Sequence, residues 1–427
     1  MNKVIGLLPA VSAVCGTALM AFLFVLLLVR YFAAVFAPKS AVSKLLTVPP
    51  RKKNAYGKWK DAFCFAAKWF IISRIIIFGT AAIYAAVTKN TGYFSNMYGY
   101  WAKWDAPHYL GLIRNWYVNE GDPRFHIVFF PMYPFICRIL LPFFGGNADL
   151  SAVAVSNMSG YFAGVFLYML TATDHSRKSA ARAVKLFYLN PLSFFLSIPY
   201  TESIFLLLTI GSVYLARKGK FGSALILGAM CAASRLMGIT VAIPIFYSML
   251  SSDKEAGILT PKRAAVRFLS CFAVLIGVAA YLALNWAVTG NPFQFWIYQR
   301  DHWHNTTGSL WNTFTYIIEY ALGSEMPMLA GTWIPTVLLI YGAIILIYSR
   351  LRRANAGDAA YSWAYMYMTI VPTWLISGPR YVSGLYALYP MLGDFTRKKW
   401  KDILTSVVFA AGLAFMSCMF AFTAGVY

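Results

Sequence analysis

Long apolar stretches separated by short basic loops dominate the chain. They lie near residues 5–37, 64–87, 151–173, 180–198, 201–216, 221–234, 236–250, 264–289, 328–349, 360–377 and 403–425, with a shorter candidate at 381–393. A spanning helix needs about 20 apolar residues. The pattern therefore predicts an all-α polytopic membrane protein with about 11–12 transmembrane helices forming a single domain over 1–427. The stretch 1–37 is longer than the roughly 7–15-residue apolar core of a signal peptide and is read as a retained N-terminal anchor helix. The segment 125–146 carries Pro131, Pro134, Pro142 and Arg138. It is read as a re-entrant or interfacial element that does not cross.

Charge then assigns sides. With the basic loop 38–63 (Lys39, Lys44, Arg51, Lys52, Lys53, Lys58, Lys60) taken as cytoplasmic, alternation puts 25 of the 37 Lys and Arg residues on that face, spread over six loops. That is the positive-inside bias. The opposite, extracytoplasmic face owns two long loops, 88–150 and 290–327, and four of the five histidines: His108, His126, His302 and His304. Long loops are where membrane-protein chemistry tends to sit.

Composition closes off other classes. Of 427 residues 59% are hydrophobic and 12% charged, about half the charged fraction of a soluble protein. A net charge of +22 would suggest nucleic acid in a soluble chain. Here the cations are scattered over short loops, so no nucleic-acid partner is expected. The six cysteines stand singly in apolar runs without a CxxC pair, which gives neither a disulfide framework nor a thiolate metal site. No nucleotide-binding, metalloprotease or nucleophile-elbow motif occurs. Asn305-Thr306-Thr307 is a glycosylation sequon, meaningful only in a eukaryotic secretory membrane.

Four constellations carry candidate chemistry. In Tyr100 to Tyr109 an acid, a base and aromatic rings meet at the membrane surface. A helix starting at Asp105 would bring His108 and Tyr109 to the side of its carboxylate, although Asp105 as a simple helix cap explains the same spacing. Phe129-Phe130-Pro131-Met132-Tyr133-Pro134 opens the re-entrant piece, and a packed kink is its plain alternative. In Pro199-Tyr200-Thr201-Glu202-Ser203, Glu202 is an acid in an apolar setting, where a functional role is the default expectation. Arg235 and Arg380 break the positive-inside bias, which suggests an anionic partner such as a phosphate; snorkelling to the interface is the alternative. Arg300, Asp301, His302 and His304 stand ready to join this set, and a metal reading of His302 and His304 is weaker.

Taken together, Trp104-Asp105 with His108-Tyr109, Phe129-Phe130-Pro131 with Tyr133-Pro134, Asn190-Pro191 with Pro199 to Ser203, Ser234-Arg235 with Gly238, and Arg380-Tyr381 leading to Tyr389-Pro390 resemble the PIG-V-like family of GPI mannosyltransferase 2 and its bacterial relatives, within the GT-C membrane glycosyltransferases. The resemblance runs from about residue 95 to 395. It implies a GT-C-type bundle with interfacial helices in the first large loop, and an extracytoplasmic active site. It also implies a polyprenyl-phosphate sugar donor, most simply of mannose, transferred with inversion to a glycan or glycolipid acceptor. Asp105 becomes the catalytic carboxylate, with His108 beside it. Arg235, Arg380, His302 and Lys103 are expected to hold the donor phosphate, and Trp104, Tyr109, Tyr133, Tyr200, Glu202 and Tyr381 to contact substrate. No cofactor or metal is expected. The alternative class is a polytopic transporter or lipid-linked sugar flippase, which would show mid-membrane ionisable residues and paired halves. Arg30, Lys68 and Arg74 are instead read as lying toward the cytoplasmic ends of their spans. The compact length favours a bacterial plasma membrane over the endoplasmic reticulum.

Overall fold

The computed structural model describes residues 2–37, 40–46 and 57–427. Lys39, Arg51, Lys52 and Lys53 of the expected cytoplasmic loop lie outside the described residues. Among the described residues the regular structure is helical, apart from one isolated antiparallel bridge between Thr307 and Pro372. Seven helices among the described residues are long and apolar enough to cross a membrane: Gly6–Phe36, Trp59–Val87, Ala148–Asp174, Leu236–Glu255, Pro261–Thr289, Met326–Arg350 and Lys399–Phe422. Five other expected spans fold as shorter helices, Arg177–Leu189, Glu202–Arg217, Phe221–Ala232, Ala356–Ile370 and Leu388–Phe395.

Residue chemistry explains the shortening. Pro191 and Pro199 each lack a backbone donor and cannot continue a helix, so the chain between Leu189 and Glu202 is mostly irregular and almost wholly buried. Irregular backbone at membrane depth is tolerated only when protein groups satisfy it. Asn190 Oδ1 accepts from the Leu192 amide at 2.9 Å, Ser193 donates to the Tyr188 carbonyl at 2.6 Å, and Asn157 donates to the Ser197 carbonyl at 3.0 Å. Arg74 donates to the Leu196 carbonyl at 3.0 Å. Arg74 therefore sits mid-helix as a structural donor, a correction to its expected place near the cytoplasmic end. Close approach is also required at Gly164, where a β-carbon would lie 2.1 Å from the Tyr188 hydroxyl oxygen. Small residues at such seams let helices approach closely without a polar penalty.

The segment expected not to cross is bent by 110° between Asp122–Val128 and Met132–Phe144, a shape that a re-entrant loop and a broken span share. The interval 290–327, expected as a loop, also contains the helix Leu310–Gly323. Its Phe314 and Ile317 are fully buried, with Phe314 packed against Gly16 of the N-terminal helix.

Ion pairs gather the basic loops at one end. Asp394, 1% exposed, is met by Arg350 at 3.2 Å, by His175 at 3.8 Å and by Arg397. Arg217 joins Asp358 at 2.7 Å to Asp174 at 3.3 Å. Lys254 donates to the Ala34 carbonyl at 2.6 Å. The 16-residue helix Glu202–Arg217, at 1.5 Å rise per residue, carries Glu202 roughly 22 Å away from this end. The charged residues that break the charge bias lie there.

Candidate active site

The helix Asp105–Asn115 begins directly after Trp104, whose backbone is at φ 56°, ψ −110°. A positive φ at a bulky residue costs on the order of 1–3 kcal/mol and persists only where the surroundings enforce it. Here the Trp104 ring lies 4.0 Å from the Tyr427 ring, centroid to centroid. The carbonyl of the preceding Lys103 accepts from the Tyr200 hydroxyl at 2.7 Å. Trp104 thus takes the cap position, and Asp105 makes no cap bond. Its carboxylate is turned to Arg380 Nη1 at 2.7 Å.

Two more charges, Glu202 and Arg235, complete an alternating row. Arg380 Nε lies 3.2 Å from Glu202 Oε1, and Arg235 Nη1 lies 2.9 Å from the same oxygen. The side chains of Arg380 and Glu202 are 4% and 2% exposed, whereas that of Asp105 is 26% exposed. The row is electrically neutral, as burial demands. Aromatic rings surround the guanidinium groups, with Tyr200 and Tyr381 each about 5 Å from Arg380 and Tyr381 also beside Arg235. Arg235 has extended backbone between Phe221–Ala232 and the 3₁₀ turn Leu236–Val241. The fold-back depends on Gly238, where a β-carbon would lie 2.3 Å from the Cys231 carbonyl oxygen. That contact is the physical content of the Ser234-Arg235-x-x-Gly238 spacing.

These groups open into a cavity of about 580 Å³. Its lining includes Trp104, Asp105, His108, Tyr109, Arg235, Arg380 and Tyr381, seven of the expected site residues. His108 Nδ1 is 3.0 Å from His126 Nε2, so one ring donates and the other accepts. Burial holds His108 below the usual imidazole range; Asp105 pulls the other way and His302 adds to the lowering. Glu202 lies behind the cavity wall, paired with the two arginines that line it.

Four expected residues take other places. Lys103 donates to the Phe420 and Ala421 carbonyls at 3.3 and 2.6 Å, closing the C-terminus of Lys399–Phe422 in place of a phosphate contact. Tyr133 is fully buried, its hydroxyl shared between Ser156 at 2.9 Å and the Ala152 carbonyl at 3.0 Å. Tyr200 is likewise buried beneath the 103–105 backbone. His302 stacks on Phe125 at 3.6 Å and does not line the cavity. Sequence reasoning missed Trp303, Trp374 and Tyr427 as lining residues; an isolated aromatic in an apolar chain carries no local signal. Among the described residues no three His, Cys, Asp or Glu side chains gather as metal ligands.

A model of the family described as Mannosyltransferase (PIG-V) matches residues 78–311. The match contains Asp105, His108, Glu202 and Arg235. The chain is similar to GPI mannosyltransferase 2 of Yarrowia lipolytica, 29% identical over 157 residues that cover 36% of this chain and 41% of the relative. It is similar also to GPI alpha-1,6-mannosyltransferase 2 of Rattus norvegicus, 26% identical over 187 residues covering 41% and 37% of the two chains. The chain spans about two fifths of the length of these curated relatives. Among solved structures, the oligosaccharyltransferase of Archaeoglobus fulgidus superposes with a TM-score of 0.44 and 14% identity, over 77% of this chain and 49% of that one.

Proposed function

Because the chain belongs to the PIG-V mannosyltransferase family, we propose that it transfers a mannosyl residue from a polyprenyl-phosphate-linked donor to a glycan or glycolipid acceptor, with inversion, at the extracytoplasmic face of a membrane. One observation carries the reading: a carboxylate and a buried guanidinium, Asp105 and Arg380, meet at 2.7 Å on the wall of one cavity. A sugar on a lipid phosphate already has a competent leaving group. The protein must supply a proton acceptor for the attacking hydroxyl and cations for the departing phosphate.

The steps follow from those positions. The donor phosphate competes with Asp105 for Arg380 and takes Arg235 as a second partner, which frees the Asp105 carboxylate. The acceptor hydroxyl then attacks the anomeric carbon opposite the phosphate oxygen. Its proton passes to Asp105, the carbon–oxygen bond to phosphate breaks, and polyprenyl phosphate leaves held by the two arginines. No metal is required, because the guanidinium pair takes the developing charge. The basic ends of the helices, paired among themselves far from the cavity, support the extracytoplasmic placement. The curated relatives come from a yeast and rodents, which does not favour the bacterial membrane that the compact length suggests.

The test is mannosyl transfer by purified protein in detergent from synthetic polyprenyl-phosphate mannose, with and without EDTA. The expected outcome is release of polyprenyl phosphate that ignores EDTA and falls about 10²–10⁴-fold in Asp105→Asn. Wild-type turnover in that variant would remove Asp105 from the mechanism. Intact lipid carried across liposomes without turnover would replace the reading with transport.

A further inference from the structure

The two ends of the molecule balance their charges differently. At the cavity, two carboxylates alternate with two guanidinium groups and cancel. At the opposite end one buried carboxylate, Asp394, lies under three arginines, Arg350 at 3.2 Å, Arg353 at 3.8 Å and Arg397, with His175 at 3.8 Å beside them. Asp394 is 1% exposed, whereas the side chains of Arg353 and Arg397 are 48% and 41% exposed. The carboxylate is thus a buried base from which the guanidinium groups rise to the surface. Among the described residues no second acid pairs with these three arginines. Asp402, the next acid along the chain, is held by Lys185 at 2.6 Å, and Asp358 and Asp174 are both held by Arg217.

Hydrogen-bond capacity shows the same imbalance. Three guanidinium forks present far more N–H donors than the oxygens of one carboxylate accept. Arg350 and Arg353 reach the same Asp394 oxygen, Oδ2, so their nitrogens stand within about 7 Å of each other, a span that one phosphate group bridges. A further cation leans in: Lys401 Nζ is 4.1 Å from the Phe395 ring, which Arg350 meets at 5.4 Å.

The cluster also borders a lipid-facing surface. Helix Lys399–Phe422 begins two residues beyond Arg397, and its Trp400, Ile403, Leu404, Val407 and Val408 are all more than half exposed. It is one of the helices apolar enough to cross a membrane, and spacings of three and four residues put these side chains on one face. A tryptophan at the head of such a face marks the level of the phospholipid headgroups.

We propose that Arg350, Arg353 and Arg397, arrayed on Asp394, form a site for the phosphate of one anionic phospholipid whose acyl chains lie along the exposed face of Lys399–Phe422. The phosphate oxygens take the N–H donors that Asp394 leaves over, in the bidentate geometry that guanidinium and phosphate share. Basic pockets between helix ends on the Lys- and Arg-rich side suit such headgroups. A choline phospholipid brings its own cation into the cluster and is disfavoured. The inference stands apart from the transfer reaction, since none of these residues lines the cavity.

The test is native mass spectrometry and thermal melting of the full chain in detergent micelles doped with phosphatidylglycerol or phosphatidylcholine. Wild type is expected to bind phosphatidylglycerol about tenfold more tightly, the scale of one charged hydrogen bond, and to melt higher in its presence. The double variant Arg353→Gln with Arg397→Gln should lose the preference and keep its binding of phosphatidylcholine. Arg352→Gln with Lys398→Gln removes the same charge from the same two loops, outside the ion pairs of Asp394, and should keep the preference. Equal loss in both double variants would mean diffuse attraction to a basic surface and overturn the site. Equal protection by glycerol 3-phosphate, a headgroup phosphate without chains, would overturn the lipid as its occupant. Wild type that does not distinguish the two lipids would overturn the proposal outright. Asp394→Asn gives an independent reading: it should melt lower than wild type in phosphatidylcholine and gain more than wild type from phosphatidylglycerol, and an equal gain would overturn the role of the three arginines.

Discussion

Replacing Glu202 by Gln keeps the shape of the side chain and removes its charge from between two guanidinium groups. Glu202 Oε1 is 2.9 Å from Arg235 and 3.2 Å from Arg380, with the carboxylate 2% exposed. Those two nitrogens therefore lie within roughly 6 Å of each other. At an effective dielectric constant of about 20, two unit charges at that separation repel by about 3 kcal/mol. Removing one partner of a buried ion pair costs about 3–5 kcal/mol by comparison with other proteins, so the two routes agree. Glu202→Gln should melt clearly below wild type in tryptophan-fluorescence scans in detergent at matched scan rate. Polyprenyl phosphate offers the missing negative charge, so it should raise the melting temperature of the variant by more than that of wild type. If the variant melts with wild type and gains no extra protection from polyprenyl phosphate, the arginines are not held by Glu202 and the phosphate assignment loses its basis.

Other outcomes follow from the same contacts. Lys103→Met should lower stability by about 1.5–3 kcal/mol through loss of charged hydrogen bonds to two helix-terminal carbonyls, while the KM for donor stays unchanged; a raised donor KM would return Lys103 to the phosphate site. His108, held below the usual imidazole range by burial against the opposing pull of Asp105, remains neutral in the fold while the unfolded chain takes up protons near pH 6.5. Its contribution to stability is present above that value and is lost as pH falls from there through the lowered folded value. His108→Gln should flatten this acid limb in a melting-temperature profile, and superimposable profiles would contradict it.

The pattern of apolar runs was enough to give a helical membrane protein, and the scatter of Lys and Arg was enough to bring the basic loops to one end. Both are additive properties that survive any detail of packing. Asp105, Glu202, Arg235 and Arg380 were conspicuous for the same reason: a charge in an apolar stretch is costly and therefore informative.

Their partners were not legible. Asp105 meets Arg380, and Glu202 joins Arg380 to Arg235, only because helices far apart in sequence converge where the chain breaks at Asn190-Pro191 and folds back at Gly238. Lys103 had the right charge for a phosphate, but the carbonyls of Phe420 and Ala421 reach it first, and no local pattern announces a helix end arriving from more than 300 residues away. Trp303 and Tyr427 look like ordinary interfacial aromatics until the fold turns them onto one cavity. Sequence alone determined which groups need a partner, because desolvation acts on each residue separately. Which partner each received was decided by tertiary structure, because pairing energies depend on distances that only the packed helices fix.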